Sequence, residues 1–193
     1  MRICVYGAAS SSIDPEYIKR VEDLCCHLAE KGHSLVFGGG AGGLMGAAAR
    51  GFKKGRGHII GVIPKFFFES EVEELCDFCD QVFTPDTMRE RKQIMEDAAE
   101  AFIVTPGGIG TYEEYFEILT LKQLCRHTKP IAVYNIMGFY NDMQKAVDGA
   151  IEKGFIKDNC RKLYLVSEDT EEIIKYIEGP QISFSSVKEL KNG

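Results

Sequence analysis

The stretch Ala101-Phe102-Ile103-Val104-Thr105-Pro106-Gly107-Gly108-Ile109-Gly110-Thr111-Tyr112-Glu113-Glu114-Tyr115-Phe116-Glu117 changes character twice. Residues 101 to 104 are an unbroken apolar run of strand formers, stopped by Pro106 and then by Gly107, Gly108 and Gly110. The run predicts a buried strand that empties into a turn and then a helix. Glycines at this density predict backbone with positive φ that comes close to a ligand. The helix that follows points its free N–H groups and positive dipole end into the same space, which makes the turn a seat for a phosphate.

Thr111 and Glu114 have the spacing of a capping box, with Thr111 as N-cap, worth about 1 kcal/mol of helix stability. A carboxylate fixed at a helix N-terminus beside a phosphate seat is also expected to stay ionised and to be placed to act on the bound molecule. The first reading makes Glu114 a cap, the second a catalyst.

Working outward, the segment Thr87 to Glu100 reads as a helix with Met88, Arg91, Lys92, Met95 and Ala99 on one face. An arginine and a lysine among its apolar positions, just ahead of the phosphate seat, point toward an anion. Upstream, strands are expected at Ile3–Tyr6, Ser34–Phe37, His58–Ile63 and Gln81–Thr84, and helices from Pro15 and within the run Gly38-Gly39-Gly40-Ala41-Gly42-Gly43. That run repeats the strand-to-glycine-to-helix construction, so Gly39 and Gly40 are candidates for a second phosphate contact. Residues 66 to 80 read as a loop with a short helix. Downstream come a helix to about Arg126, strands at Ile131–Tyr134 and Tyr164–Val166, and helices from about Tyr140 to Lys153 and Thr170 to Ile177. Strand and helix alternate throughout, which predicts an α/β, Rossmann-like, doubly wound and mostly parallel sheet with helices on both faces and ligands beyond the strands' C-terminal ends. Residues 1–178 make a single nucleotide-binding domain on this reading, and 179–193 a polar, frayed tail.

A chain of 193 residues that is 45% hydrophobic can bury one good core. No run approaches the roughly 20 apolar residues of a membrane span, and Met1-Arg2 leads into strand-like residues rather than a signal peptide, so a cytoplasmic protein is expected, with no membrane partner. A net charge of −6 argues against nucleic acid as a partner. Seven cysteines, an odd and scattered number, do not form a disulfide framework, and Cys76 and Cys79, the one CxxC, lack a second ligand pair, so no metal is expected.

Pro106-Gly107-Gly108-Ile109-Gly110-Thr111-Tyr112-Glu113-Glu114 matches the PGGxGTxxE signature of the LOG (Lonely Guy) cytokinin-activating phosphoribohydrolases, and Met88-Arg89-Glu90-Arg91-Lys92 resembles their MHxRK motif. The likeness extends to Gly38-Gly39-Gly40 with Gly43-Leu44-Met45-Gly46, to Gly61-Val62-Ile63-Pro64-Lys65, and to Lys129-Pro130-Ile131 with Asn135, over residues 1 to 178. The resemblance implies hydrolysis of the N-glycosidic bond of an adenosine 5′-monophosphate, N6-modified or plain, to free base and ribose 5-phosphate, with no cofactor. It implies Arg91 and Glu114 as the catalytic pair. It implies nucleotide contacts from Lys92, Gly108, Ile109, Gly110, Thr111, Tyr112, Glu113 and Thr120, and from a glutamate matched best by Glu71, with Glu69 and Glu73 as alternatives. It also implies a homodimer with sites near the interface. Arg89 stands where the family usually has His, Leu121 where plant members have Trp, and Gly7-Ala8-Ala9-Ser10 replaces Gly-Ser-Ser, changes that bear on the base pocket.

Two other readings compete. A nucleotide or molybdenum-cofactor carrier would use the same turns without chemistry. A lysine decarboxylase would need pyridoxal phosphate with a Schiff-base lysine and a ring-nitrogen partner, a set that the sequence does not display.

Overall fold

The computed structural model describes residues 1–69, 74–184 and 186–191, without the side chains of Glu69 and Lys191. The strands are β1 (Arg2–Tyr6), β2 (Ser34–Phe37), β3 (Ile59–Val62), β4 (Gln81–Phe83), β5 (Ala101–Val104), β6 (Ile131–Tyr134) and β7 (Leu165–Ser167). Among the described residues they form one sheet in the order β4-β3-β2-β1-β5-β6-β7, with every neighbouring pair parallel. The connecting helices are α1 (Pro15–Glu30), α2 (Gly43–Lys54), α3 (Lys65–Glu69), α4 (Met88–Ala98), α5 (Ile109–Gln123), α6 (Asn141–Glu152) and α7 (Thr170–Glu178), with a short α8 (Lys188–Lys191).

Continuous apolar runs make β1, β2, β5 and β6 because their side chains alternate between two buried faces. Ile3, Val5, Ala101 and Ile103 join one core with Val21, Leu24 and Leu28 of α1, Ala48 and Phe52 of α2, and Ile173 and Ile177 of α7. Cys4, Tyr6, Phe102 and Val104 join the other with Met95 of α4 and Tyr115 and Ile118 of α5. The expected doubly wound architecture is therefore present, and the sheet is wholly parallel. Chain direction across the sheet reverses between β1 and β5, whose C-terminal ends open side by side, and in such sheets that opening is where ligands bind.

Two 3-10 turns, Ile136–Gly138 and Asp158–Leu163, were not anticipated. The first closes on Asn135, whose Oδ1 accepts from the Tyr140 N–H at 2.7 Å and whose Nδ2 donates to Asn141 Oδ1 at 2.9 Å. Tyr140 then donates its hydroxyl to the Thr105 carbonyl at 2.7 Å, fixing the backbone where β5 enters its glycine turn. The polar tail, expected to fray, packs back instead: Leu190 is buried in the second core, and Asn159 Nδ2 donates to the Glu189 carbonyl at 3.3 Å.

Candidate functional site

Gly108 is the N-cap of α5, so Thr111 is the third helical residue and Glu114 the sixth. The Thr111–Glu114 capping box is therefore absent, and among the described residues no side chain caps this helix. A glycine N-cap lets the chain turn into helix three residues sooner than expected, which brings buried Thr111 against Gly107; a Cβ on Gly107 would lie 2.1 Å from Thr111 Oγ1. None of Gly107, Gly108 and Gly110 has positive φ. Gly107 is there for close packing, while Gly108 and Gly110 face open space that a side chain would intrude upon. The N–H groups of Gly108, Ile109 and Gly110 have no acceptor among the described residues, leaving the positive end of a 15-residue helix bare.

The box forms instead at Thr87, where the Glu90 N–H donates to Thr87 Oγ1 and the Thr87 N–H to Glu90 Oε2, both at 3.2 Å. This fixes the start of α4, the helix that carries Arg91 one turn later. Arg91 is buried beneath the sheet's C-terminal edge with its guanidinium against Gly38. Its protein partners are weak: Nη1 faces the Met88 sulfur at 3.7 Å, and the guanidinium stands 5.9 Å from the Phe67 ring centre. Its Nε is buried without a hydrogen-bond partner among the described residues, a costly arrangement for a charged donor.

Arg91 and Glu114 line the same cleft, about 230 Å³, with Gly108, Gly110 and Thr111 on one wall and Gly7, Ala8, Ala9 and Met45 on the other. Glu114 was expected to stay ionised. Burial instead pushes its carboxyl up to about 7, against the opposing pull of the Arg91 charge, and Glu113 adds to the rise. A carboxyl balanced between its two protonation states near neutral pH suits proton transfer. Beside this cleft, Ala8, Gly107 and Gly108 also border an apolar hollow of about 260 Å³ walled by Ile13, Tyr17, Leu44 and Phe139.

The remaining sequence candidates separate. Lys92 is ion-paired with Glu113 and, at 2.5 Å, with Glu117. Burial works against its charge, yet these two carboxylates hold its ammonium above the ordinary lysine range. Ile109 projects into solvent, and Tyr112 packs edge-on against Tyr140 at 5.8 Å. Thr120 lines a different groove, about 510 Å³, with Phe116, Phe155 and Tyr164. Gly39 and Gly40 are buried and do not reach the cleft: the Gly39 carbonyl accepts from the Cys76 N–H at 2.8 Å, and Gly40 pairs with Leu75. The second expected phosphate seat is also occupied. At the start of α2, the Leu44 N–H donates to the Ala8 carbonyl at 2.8 Å and the Gly43 N–H to Ser11 Oγ at 3.2 Å. Glu71 and Glu73 lie outside the described residues, as does the side chain of Glu69. Gly7, Ala8 and Ala9, which the family resemblance marks only as a departure from Gly-Ser-Ser, form a wall of the site, and their position at the C-terminal end of the central strand is the sequence sign of it.

A family profile described as "Possible lysine decarboxylase" matches residues 45–177. A cytokinin riboside 5′-monophosphate phosphoribohydrolase of Arabidopsis thaliana (LOG2) is 35% identical over 177 residues, 92% of this chain and 82% of that protein. The LOG enzyme of Oryza sativa subsp. japonica is 37% identical over 92% of this chain and 72% of its own. The chain belongs to the LOG phosphoribohydrolase family. Among solved structures, the molybdenum cofactor carrier protein of Chlamydomonas reinhardtii superposes with a TM-score of 0.69 at 22% identity, covering 92% of this chain and 95% of the carrier, a likeness of fold.

The decarboxylase wording does not fit the residues of this LOG chain. Lys92, the lysine nearest the cleft, is held protonated by two carboxylates, the reverse of what a Schiff-base amine requires. Lys122, whose ammonium burial pushes down to about 8, sits some 14 residues, about 20 Å, along α5 from the glycine turn.

Proposed function

We propose that the Arg91–Glu114 cleft hydrolyses the N-glycosidic bond of an adenosine 5′-monophosphate, N6-modified or plain, releasing free base and ribose 5-phosphate. The observation that carries this reading is a guanidinium with only weak protein partners lining the same cleft as a carboxyl that burial pushes up to about 7. The bare N-terminus of α5 receives the phosphate. Arg91 offers its planar fork to a phosphate or ribose oxygen, which a lysine could not do in the same way. Breaking the ribosyl C–N bond builds positive charge on the sugar, and ionised Glu114 stabilises that charge or takes the proton of the attacking water. A carrier of the same fold would need neither the carboxyl nor its poised protonation.

Hydrolysis of AMP beside adenosine tests the reading, since the phosphate seat makes the 5′-phosphate a requirement. AMP should be the better substrate by at least about 10²-fold in kcat/KM. Comparable values for the two would sink the idea.

We also infer a cytoplasmic homodimer. Seven free cysteines suit a reducing compartment. Thr120 sits apart from Arg91 and Glu114, in a groove with exposed Phe116 and Phe155, as expected if a second copy covers that face. Light scattering should give twice the 21.5 kDa chain mass; a fully active monomer would contradict the dimer.

A further inference from the structure

Away from the cleft, Cys76 and Cys79 lie three residues apart on the segment Leu75-Cys76-Asp77-Phe78-Cys79-Asp80, where the Cys79 thiol donates to the Cys76 carbonyl at 3.9 Å. That segment is tied down at both ends. At one end the Ala41 N–H donates to the Glu74 carbonyl and the Cys76 N–H to the Gly39 carbonyl, both at 2.8 Å. At the other, the Asp80 N–H donates to the Ile59 carbonyl at 2.9 Å while its carboxylate accepts from the Ile59 N–H at 2.8 Å. β3 passes directly under the pair, since a Cβ on Gly61 would lie 3.0 Å from Cys79 Sγ. Cys76 is buried, and Cys79 is half-buried and open to a solute.

The neighbouring Cys79 thiol, the Phe78 N–H and the charge of Lys53, which stands 4.0 Å over the Phe78 ring, favour the thiolate of Cys76, against burial and the Asp77 charge. Together they bring the Cys76 thiol below the ordinary thiol range, while the Cys79 thiol is pushed up. Cys25, buried without such donors, is shifted the opposite way from Cys76. A thiolate stabilised beside a second thiol is the arrangement that exchanges with disulfides.

We propose that Cys76 and Cys79 form a thiol–disulfide exchange site for low-molecular-weight disulfides of the glutathione class, closing to an internal disulfide against the Gly39–Gly40 turn. The pair's thiolate attacks one sulfur of the disulfide, forming a mixed disulfide and expelling one thiolate. The remaining thiol gives its proton to solvent, attacks the protein sulfur of the mixed disulfide and expels the second thiolate. Each cysteine sulfur loses one electron, and the small disulfide gains two and becomes two thiols. The new bond closes a short ring on the strap that holds the turn between β2 and α2. The proposal stands apart from the hydrolase reading, because the covalent product is read directly.

The test uses the reduced, unmodified protein, oxidised glutathione as probe, and peptide mapping by mass after acid quench. The exposed Cys125 is the internal reference for simple glutathione addition. The expected product is a peptide carrying both Cys76 and Cys79 that has lost two hydrogens, formed about tenfold faster at pH 8 than at pH 6. Glutathione on Cys125 with Cys76 and Cys79 still reduced, or a pair that stops at the mixed disulfide, overturns the proposal.

Discussion

The guanidinium of Arg91 fills the space beside Gly38 that any side chain there would need: a Cβ on Gly38 would lie 1.7 Å from Arg91 Nη2. Gly38 follows β2 directly and has no positive φ, so alanine is conformationally acceptable and the strain falls on the far end of a flexible side chain. Gly38→Ala is therefore expected to fold and to push the guanidinium out of register with Glu114. Misplacement on that scale costs on the order of 10²-fold in kcat/KM. Kinetics and thermal melting on the one variant check this; full activity would mean that Arg91 does not act from its observed position.

Glu114→Gln separates charge from packing. With no capping role left for this side chain, glutamine should preserve the fold and nucleotide binding while kcat falls on the order of 10²-fold or more. The stability comparison has a definite sign. Glu114 has a folded pKa of about 7 against an ordinary 4.5, so the folded state holds the proton more tightly, and stability falls as pH rises from about 4.5 to about 7. The variant should lose part of that decline, melting relatively higher than the wild type at pH 8 than at pH 5. A steeper decline in the variant would contradict the assignment.

Much of this was legible in the sequence, for identifiable reasons. β1, β5 and β6 are buried on both faces, and such strands announce themselves as unbroken apolar runs. The convergence of Arg91 with Glu114 followed from two motifs in the right order. The start of α5 was misplaced because a glycine N-cap leaves no side-chain signal, whereas Thr111 offered a false one. Burial of Gly39 and Gly40 depends on a strap from residues 74 to 76, a contact between distant segments that local pattern does not reveal. The separation of Thr120 from Glu114 was available in principle: six residues of helix rotate a side chain by about 240° away from the first.

Thr87→Ala removes the cap that starts α4 and should cost about 1 kcal/mol of stability. Because Arg91 sits one turn inside that helix, kcat/KM should fall with it, while Thr87→Ser should restore both. Chemical denaturation beside kinetics gives the two readouts. A stability loss with unchanged kinetics would show that fraying of the first turn does not reach Arg91.

The pH dependence of kcat/KM reports the free enzyme's essential groups. If Glu114 works as the ionised carboxylate, activity should rise roughly tenfold per pH unit below its pKa and level off above about 7. A profile that falls through the same region would make the protonated form the working one.

The central claim is that this cleft breaks a ribosyl C–N bond rather than merely holding a nucleotide. The direct measurement is incubation of the purified protein with AMP and with N6-isopentenyl-AMP, followed by chromatographic quantification of free base and ribose 5-phosphate. The account predicts equal amounts of base and ribose 5-phosphate over many turnovers, slowed on the order of 10²-fold or more in Glu114→Gln. Stoichiometric nucleotide binding with no base released from either compound would contradict it and leave a carrier.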